Sequence, residues 1–269
     1  MDIFKHLKDN KEALIAEKKF KIKQADSISY NVPLSNTKGE AVKSDVTESN
    51  ADIESIKAIV VINTTNILDS HGDLHVNGIW KKTVKEQQGR NYLVADHKLE
   101  LDKVIAKKED VEMFTAEIPF SLIGKSYEGN TEALIYKVSK NKIINPLVKE
   151  WLDSGSDIEA SVRMRYISVK LAMNSTKEDD KEELKVYTDY ISEIANKEDF
   201  DSIPYFFVIS EAENVKESSL VLFGSNNATG TINNKEIAVI DTINVIEPTE
   251  VTQEEKKAVE VPKRKLSVI

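Results

Sequence analysis

Apolar positions along this chain follow strand periodicity in its middle and helical periodicity near its start. The β-branched run at 56–63 (IKAIVVIN) predicts a buried strand, and 111–118 (VEMFTAEI) alternates with the period of two that marks a half-buried one. Further strands are predicted at 92–97, 103–107, 158–173, 205–210 and 215–223. Helices are expected over 2–24, about 80–88, 131–138 and 146–153, where Pro146 suits a first turn and Gly155 a stop. Phe4, Leu7, Leu14, Ile15 and Phe20 form an irregular apolar stripe among seven lysines in the first of these, read as a solvated helix packed loosely on its own domain. Residues 176–200 carry nine acids, with Leu184, Tyr187, Tyr190, Ile191 and Ile194 at helical spacing, which predicts an amphipathic insertion whose acidic face is solvated.

Between these elements, Pro33, Gly39 and many small polar residues mark 33–55 as a linker, and Gly72, Asn77 and Gly78 mark turns. Beyond Gly230 the chain turns Thr-, Val-, Glu- and Lys-rich with Pro248 and Pro262, predicting a flexible tail with one short strand at 236–239. The pattern gives an α+β core at 51–228, an N-terminal helix and linker at 1–50 and a flexible C-terminal extension at 229–269. No internal repeat interrupts it.

Composition narrows the function classes. With 269 residues and 40% hydrophobic content the chain can bury one sizeable core. A net charge of -9 argues against nucleic-acid binding, which needs clustered Lys and Arg against phosphates. The absence of Cys removes disulfides, thiolate catalysis and Cys-ligated zinc. The first ten residues contain no apolar h-region and no run is long enough to span a bilayer, so the chain is expected to be soluble and intracellular, with no membrane partner.

Three groups in strand-like contexts are the candidates for chemistry: His97 closing Val94-Ala95-Asp96-His97, Ser161 within 157–169 (DIEASVRMRYISV), and Glu217 opening Glu217-Ser218-Ser219-Leu220-Val221. A hydroxyl to attack, an imidazole to take its proton and an acid to orient the imidazole are what nucleophilic hydrolysis requires. The order His, Ser, acid differs from that of the chymotrypsin, subtilisin and α/β-hydrolase arrangements, so the residues predict another fold. A second reading places a metal on His71, Asp73 and His75, alternate positions of a strand, but Gly72 and the turn residues around it disfavour that strand. The acids at 178–183 lack the central Gly of an EF-hand. No cofactor or metal is called for.

Four blocks in series carry a resemblance. DSHGDLHVNGIWKKTV at 69–84, LVADH at 93–97, EASVRMRY at 159–166 and ESSLVLFGSN at 217–226 together resemble the prohead maturation proteases of tailed bacteriophages, a family similar to the herpesvirus assemblins. The resemblance covers roughly 56–228. It implies an assemblin-like closed, mainly antiparallel sheet ringed by helices, with Ser161 as nucleophile, His97 as general base and Glu217 as third member, and it makes His71 part of a structural turn. It also implies a serine endopeptidase that cuts scaffold and major capsid protein precursors, and itself, inside an assembling procapsid in the host cytoplasm, with self-association as a homodimer. Two positions depart from the family pattern: Arg163 stands where Gly is frequent two residues after the nucleophile, and Gly224-Ser225-Asn226 replaces Pro-Ala-Asn. A non-catalytic scaffold or internal capsid protein of the same fold is the competing reading.

Overall fold

The computed structural model describes residues 2–24, 30–35, 57–69, 71–154 and 158–222. These fold as α+β, with ten strands in two sheets and five α-helices among the described residues. The first sheet runs β2 (Tyr30–Ser35), β3 (Lys57–Thr64), β8 (Asn130–Ser139), β7 (Val111–Pro119), antiparallel throughout. The second runs β1 (Ile22–Gln24), β9 (Glu159–Met173), β10 (Tyr205–Val221), β5 (Tyr92–Ala95), β6 (Val104–Ala106). In it β10 also takes β4 (Asp73–His75), and its pairings with β4 and β5 are parallel. The strand pairings of the described residues thus define two sheets.

Side-chain alternation sets how the sheets stack. On β9, Ala160, Val162, Met164 and Tyr166 enter the main core, where they meet Val60, Ile62, Leu134 and Tyr136 of the other sheet and Leu93 and Leu220 of their own. Ser161, Arg163 and Arg165 therefore face the opposite side. The far face of the four-stranded sheet is covered by the 3-10 turn Phe120–Ile123. A third cluster packs Val186, Tyr187 and Tyr190 of the helix Lys181–Tyr190 onto Leu74, Ala172, Phe206 and Val208.

Several expectations change. Residues 131–138 are not helical but form the interior of β8. Ala, Leu and Glu favour a helix locally, but this strand is buried on both faces, and such a run loses the alternation that would identify it. The single helix expected at 2–24 is two, Ile3–Asp9 and Lys11–Phe20, followed by β1. Asn10 breaks it by donating its side-chain N–H to the His6 carbonyl at 2.8 Å, a local bond that competes with helix continuation. The expected strands at 205–210 and 215–223 merge into β10, because Glu211 and Glu213 point away from the core while Ala212 points in. Within the stretch read as linker, β2 pairs with β3 as an edge strand, and Pro33 sits where its register slips. The rest of that linker, the tail and its strand at 236–239 lie outside the described residues.

The N-terminal helices are not loosely docked. Leu7 is buried in the main core, with Phe4, Leu14 and Ile15 against it. Nor is the acidic face of the insertion simply solvated, since Glu183 is buried and accepts Lys11 Nζ at 2.5 Å and Lys8 Nζ at 3.0 Å, with Asp180 3.7 Å from Lys8. Lys177 pairs with Asp2 at 2.6 Å, and Lys18 bonds to the buried carboxylate of Asp73 while lying 4.3 Å from the Phe207 ring centre.

Burial alone would push the Glu183 carboxyl up, but its bonds to Lys11 and Lys8 outweigh burial and hold it below its ordinary value of 4.5. A depressed folded pKa gives stability that is present above the unfolded pKa and lost as pH falls through the folded one. Scanning calorimetry from pH 3 to 7 should therefore show Glu183→Gln less stable than wild type at pH 7, by about 1–2 kcal/mol. That difference should close below pH 4.5. Parallel acid limbs would contradict the clamp.

Candidate active site

The face of β9 opposite the main core carries Ser161, and the ladder puts Ser161 directly across from Ser219 of β10. Ser219 is in turn beside Val94 of β5. Directly opposed residues point to the same side of a sheet, at about 4.5–5.5 Å between Cα atoms. Both serines are buried.

His97 arrives from the end of β5. The chain turns through Asp96 (φ 54°) and His97 (φ 56°), closed by the Lys98 N–H donating to the Ala95 carbonyl at 3.0 Å. Two successive positive φ values inside a four-residue hydrogen-bonded turn are the mark of type I′, a conformation that costs a non-glycine residue about 1–2 kcal/mol. Three contacts with β10 and β5 hold it. The Asp96 N–H donates to the Leu220 carbonyl at 3.0 Å, the His97 N–H donates to Ser219 Oγ at 2.8 Å, and the Ser219 hydroxyl donates to the Val94 carbonyl at 3.1 Å. Positive φ at two successive non-glycine residues is rare, and here it falls on the pair that carries the imidazole.

Glu217 meets that imidazole. Its carboxylate oxygens lie 3.0 and 3.3 Å from His97 Nδ1, with the Glu217 side chain fully buried and that of His97 only 10% exposed. A carboxylate that accepts from Nδ1–H selects the tautomer in which Nε2 is the ring nitrogen able to take a proton. Local sequence explains how Glu217 gets there. Between Asn214 and Ser218 the register with β9 shifts by a bulge at Lys216 (φ 71°), placing four residues of β10 against two of β9. Ser218 stays on the core side, where Asn214 Nδ2 donates to Ser218 Oγ and to Tyr136 Oη, both at 2.8 Å. Burial pushes the Tyr136 hydroxyl well up, and the nearby Glu217 charge adds to this, so it is a neutral group beneath the carboxylate.

Sequence reasoning named Ser161, His97 and Glu217, and the structure puts them on three hydrogen-bonded neighbours, β9, the end of β5 and β10. It did not single out Ser219, although the residue stands inside the block at 217–226. Its role depends on strand register, which no local pattern reveals.

The other histidines are used differently. His71 is exposed in a turn organised by Asp69, whose Oδ1 accepts the N–H groups of His71 and Asp73, each at 2.8 Å. Asp73 pairs with Lys18, and the buried His75 lies 3.3 Å from Asn63 Oδ1 through Nδ1 and 2.9 Å from Tyr166 Oη through Nε2. The donors of the alternative metal reading are thus engaged by protein groups. Among the described residues no His, Asp and Glu side chains cluster as a metal-binding group of three, and no helix is long and apolar enough to cross a membrane.

Comparison with family models, with curated proteins and with solved structures finds no match to this chain.

If Ser219 pins the histidine turn, Ser219→Ala should leave the His97 N–H without its acceptor, at a cost of about 1–2 kcal/mol locally. Hydrogen exchange should then accelerate at the His97 amide by about tenfold or more, while the Asp96 amide, bonded to the Leu220 backbone, changes little. Equal protection in variant and wild type would remove Ser219 from the site.

Proposed function

We propose that the chain is a serine endopeptidase of the prohead maturation type, with Ser161 as nucleophile, His97 as general base and Glu217 as the orienting acid. The observation that carries this reading is the buried His97–Glu217 hydrogen bond at 3.0 Å, held one strand from Ser161. A buried carboxylate bonded to Nδ1 fixes the tautomer and offsets the positive charge that the ring acquires, without itself taking the proton. His97 Nε2 removes the Ser161 proton as Oγ bonds to the carbonyl carbon, then returns it to the leaving amine, and water releases the acyl group by the same route reversed.

The order of the sequence blocks supplies the biological setting. In this reading the fold is assemblin-like, the substrates are scaffold and major capsid protein precursor segments together with the chain's own extensions, and the enzyme works as a homodimer inside the assembling procapsid. It requires neither cofactor nor nucleic acid nor membrane.

Intact-mass analysis over time, with the chain alone and with its cognate capsid precursor, tests this. Truncation in wild type should vanish in Ser161→Ala, since loss of the nucleophile costs on the order of 10⁶ in rate, whereas Glu217→Gln should retain more activity, falling by about 10⁴. Identical uncut masses for wild type and Ser161→Ala would favour a non-catalytic capsid component.

A further inference from the structure

The same face of β9 carries a second group that the triad does not use. Arg163 follows Ser161 by two residues on a strand whose intervening positions, Val162 and Met164, are in the main core, so both side chains lie on the site face. Arg163 is half-buried, and its Nε–H is wholly removed from solvent without a hydrogen-bond partner. Among the described residues no carboxylate pairs with its guanidinium. Arg165, the next residue on that face, does have one, Glu213 at 3.1 Å.

A buried N–H donor left without a partner is destabilising, and such groups are few in folded proteins. The cost becomes intelligible where charge appears only during a reaction: a donor already desolvated and uncompensated stabilises that charge more than a solvated one could. At Ser161 the charge in question is defined by the chemistry. As Oγ bonds to the substrate carbonyl carbon, the C=O π pair moves onto oxygen while the Ser161 proton passes to His97. When the tetrahedral intermediate collapses, that pair re-forms the carbonyl and the C–N bond breaks, with the proton going to the amine. Between these steps the oxygen is an anion close to Ser161. Positions two apart on a strand are about 6.6 Å apart, within the span of an extended arginine side chain.

We infer that Arg163 is a catalytic residue whose guanidinium donates to the substrate oxyanion formed at Ser161. The inference rests on the endopeptidase reading. It gives a role to the position where the chain departs from Gly: a charged side chain supplies a donor that a glycine could offer only through its backbone.

The test uses the full chain and a peptide spanning a cleavage site mapped in the wild-type reaction, with wild type, Arg163→Met, Arg163→Lys and Ser161→Ala compared. Arg163→Met should lose about 10²–10³-fold in kcat with KM within about threefold. Affinity for a trifluoromethyl ketone of the same peptide, which forms a tetrahedral adduct, should fall by the same factor as kcat/KM. Arg163→Lys should recover part of the loss. The Tm of Arg163→Met should be unchanged or higher, because the substitution removes an unpaired donor. Three outcomes would overturn the assignment: unchanged kcat, a raised KM at unchanged kcat, which marks recognition of a substrate carboxylate, or kcat and Tm falling together, which marks a structural role. Active wild type with any of these sinks only the Arg163 role, whereas wild type as inert as Ser161→Ala sinks the endopeptidase reading and this inference with it.

Discussion

The seventeen residues of β10 hold three strands at once: β9 along the antiparallel edge, and β4 and β5 in parallel on the other. Everything proposed for the site depends on this registration. Slipping either edge by one residue would turn side chains from one face to the other, carrying Ser161 into the core or Glu217 away from His97. The hydrophobic pattern of β9 opposes such a slip, because Ala160, Val162, Met164 and Tyr166 would leave the core together.

Within that frame, local departures from regular structure do the positioning. The bulge at Lys216 keeps Ser218 on the core side and Glu217 on the site side, and the positive-φ turn at Asp96–His97 delivers the imidazole. Each is unfavourable on its own, and the turn is held by bonds to neighbouring strands, among them the His97 N–H donating to Ser219 Oγ. The deeply buried Glu217 side chain is likewise met by His97 Nδ1 at 3.0 Å, so its polar end is not left without a partner. Three of the four non-glycine residues with positive φ among the described residues, Asp96, His97 and Lys216, are or adjoin the residues that this positioning serves.

Much of this was legible in the chain and part was not, for identifiable reasons. Residue chemistry singled out Ser161, His97 and Glu217, a strand was expected at 158–173 where β9 lies, and alternation located β7. It failed at β8, where burial on both faces erased the alternation and left helical propensity as the only local signal. It also missed the pairing of Lys8 and Lys11 with Glu183. Those charges are separated by more than 170 residues, and an acidic helix face reads as solvated until its counter-charges are located in space. Ser219 and the unpaired Arg163 Nε belong to the same class: their meaning lies in register and desolvation, neither of which is local.

The central claim is that Ser161 is a nucleophile activated by His97. The most direct measurement is reaction of the full chain with a fluorophosphonate, which bonds to an activated serine oxygen with loss of fluoride, followed by peptide mapping of the adduct. The account predicts one adduct, on Ser161, formed far more slowly in His97→Ala and slowed in Glu217→Gln. No adduct on Ser161, or modification at the same rate when His97 is replaced, would contradict it.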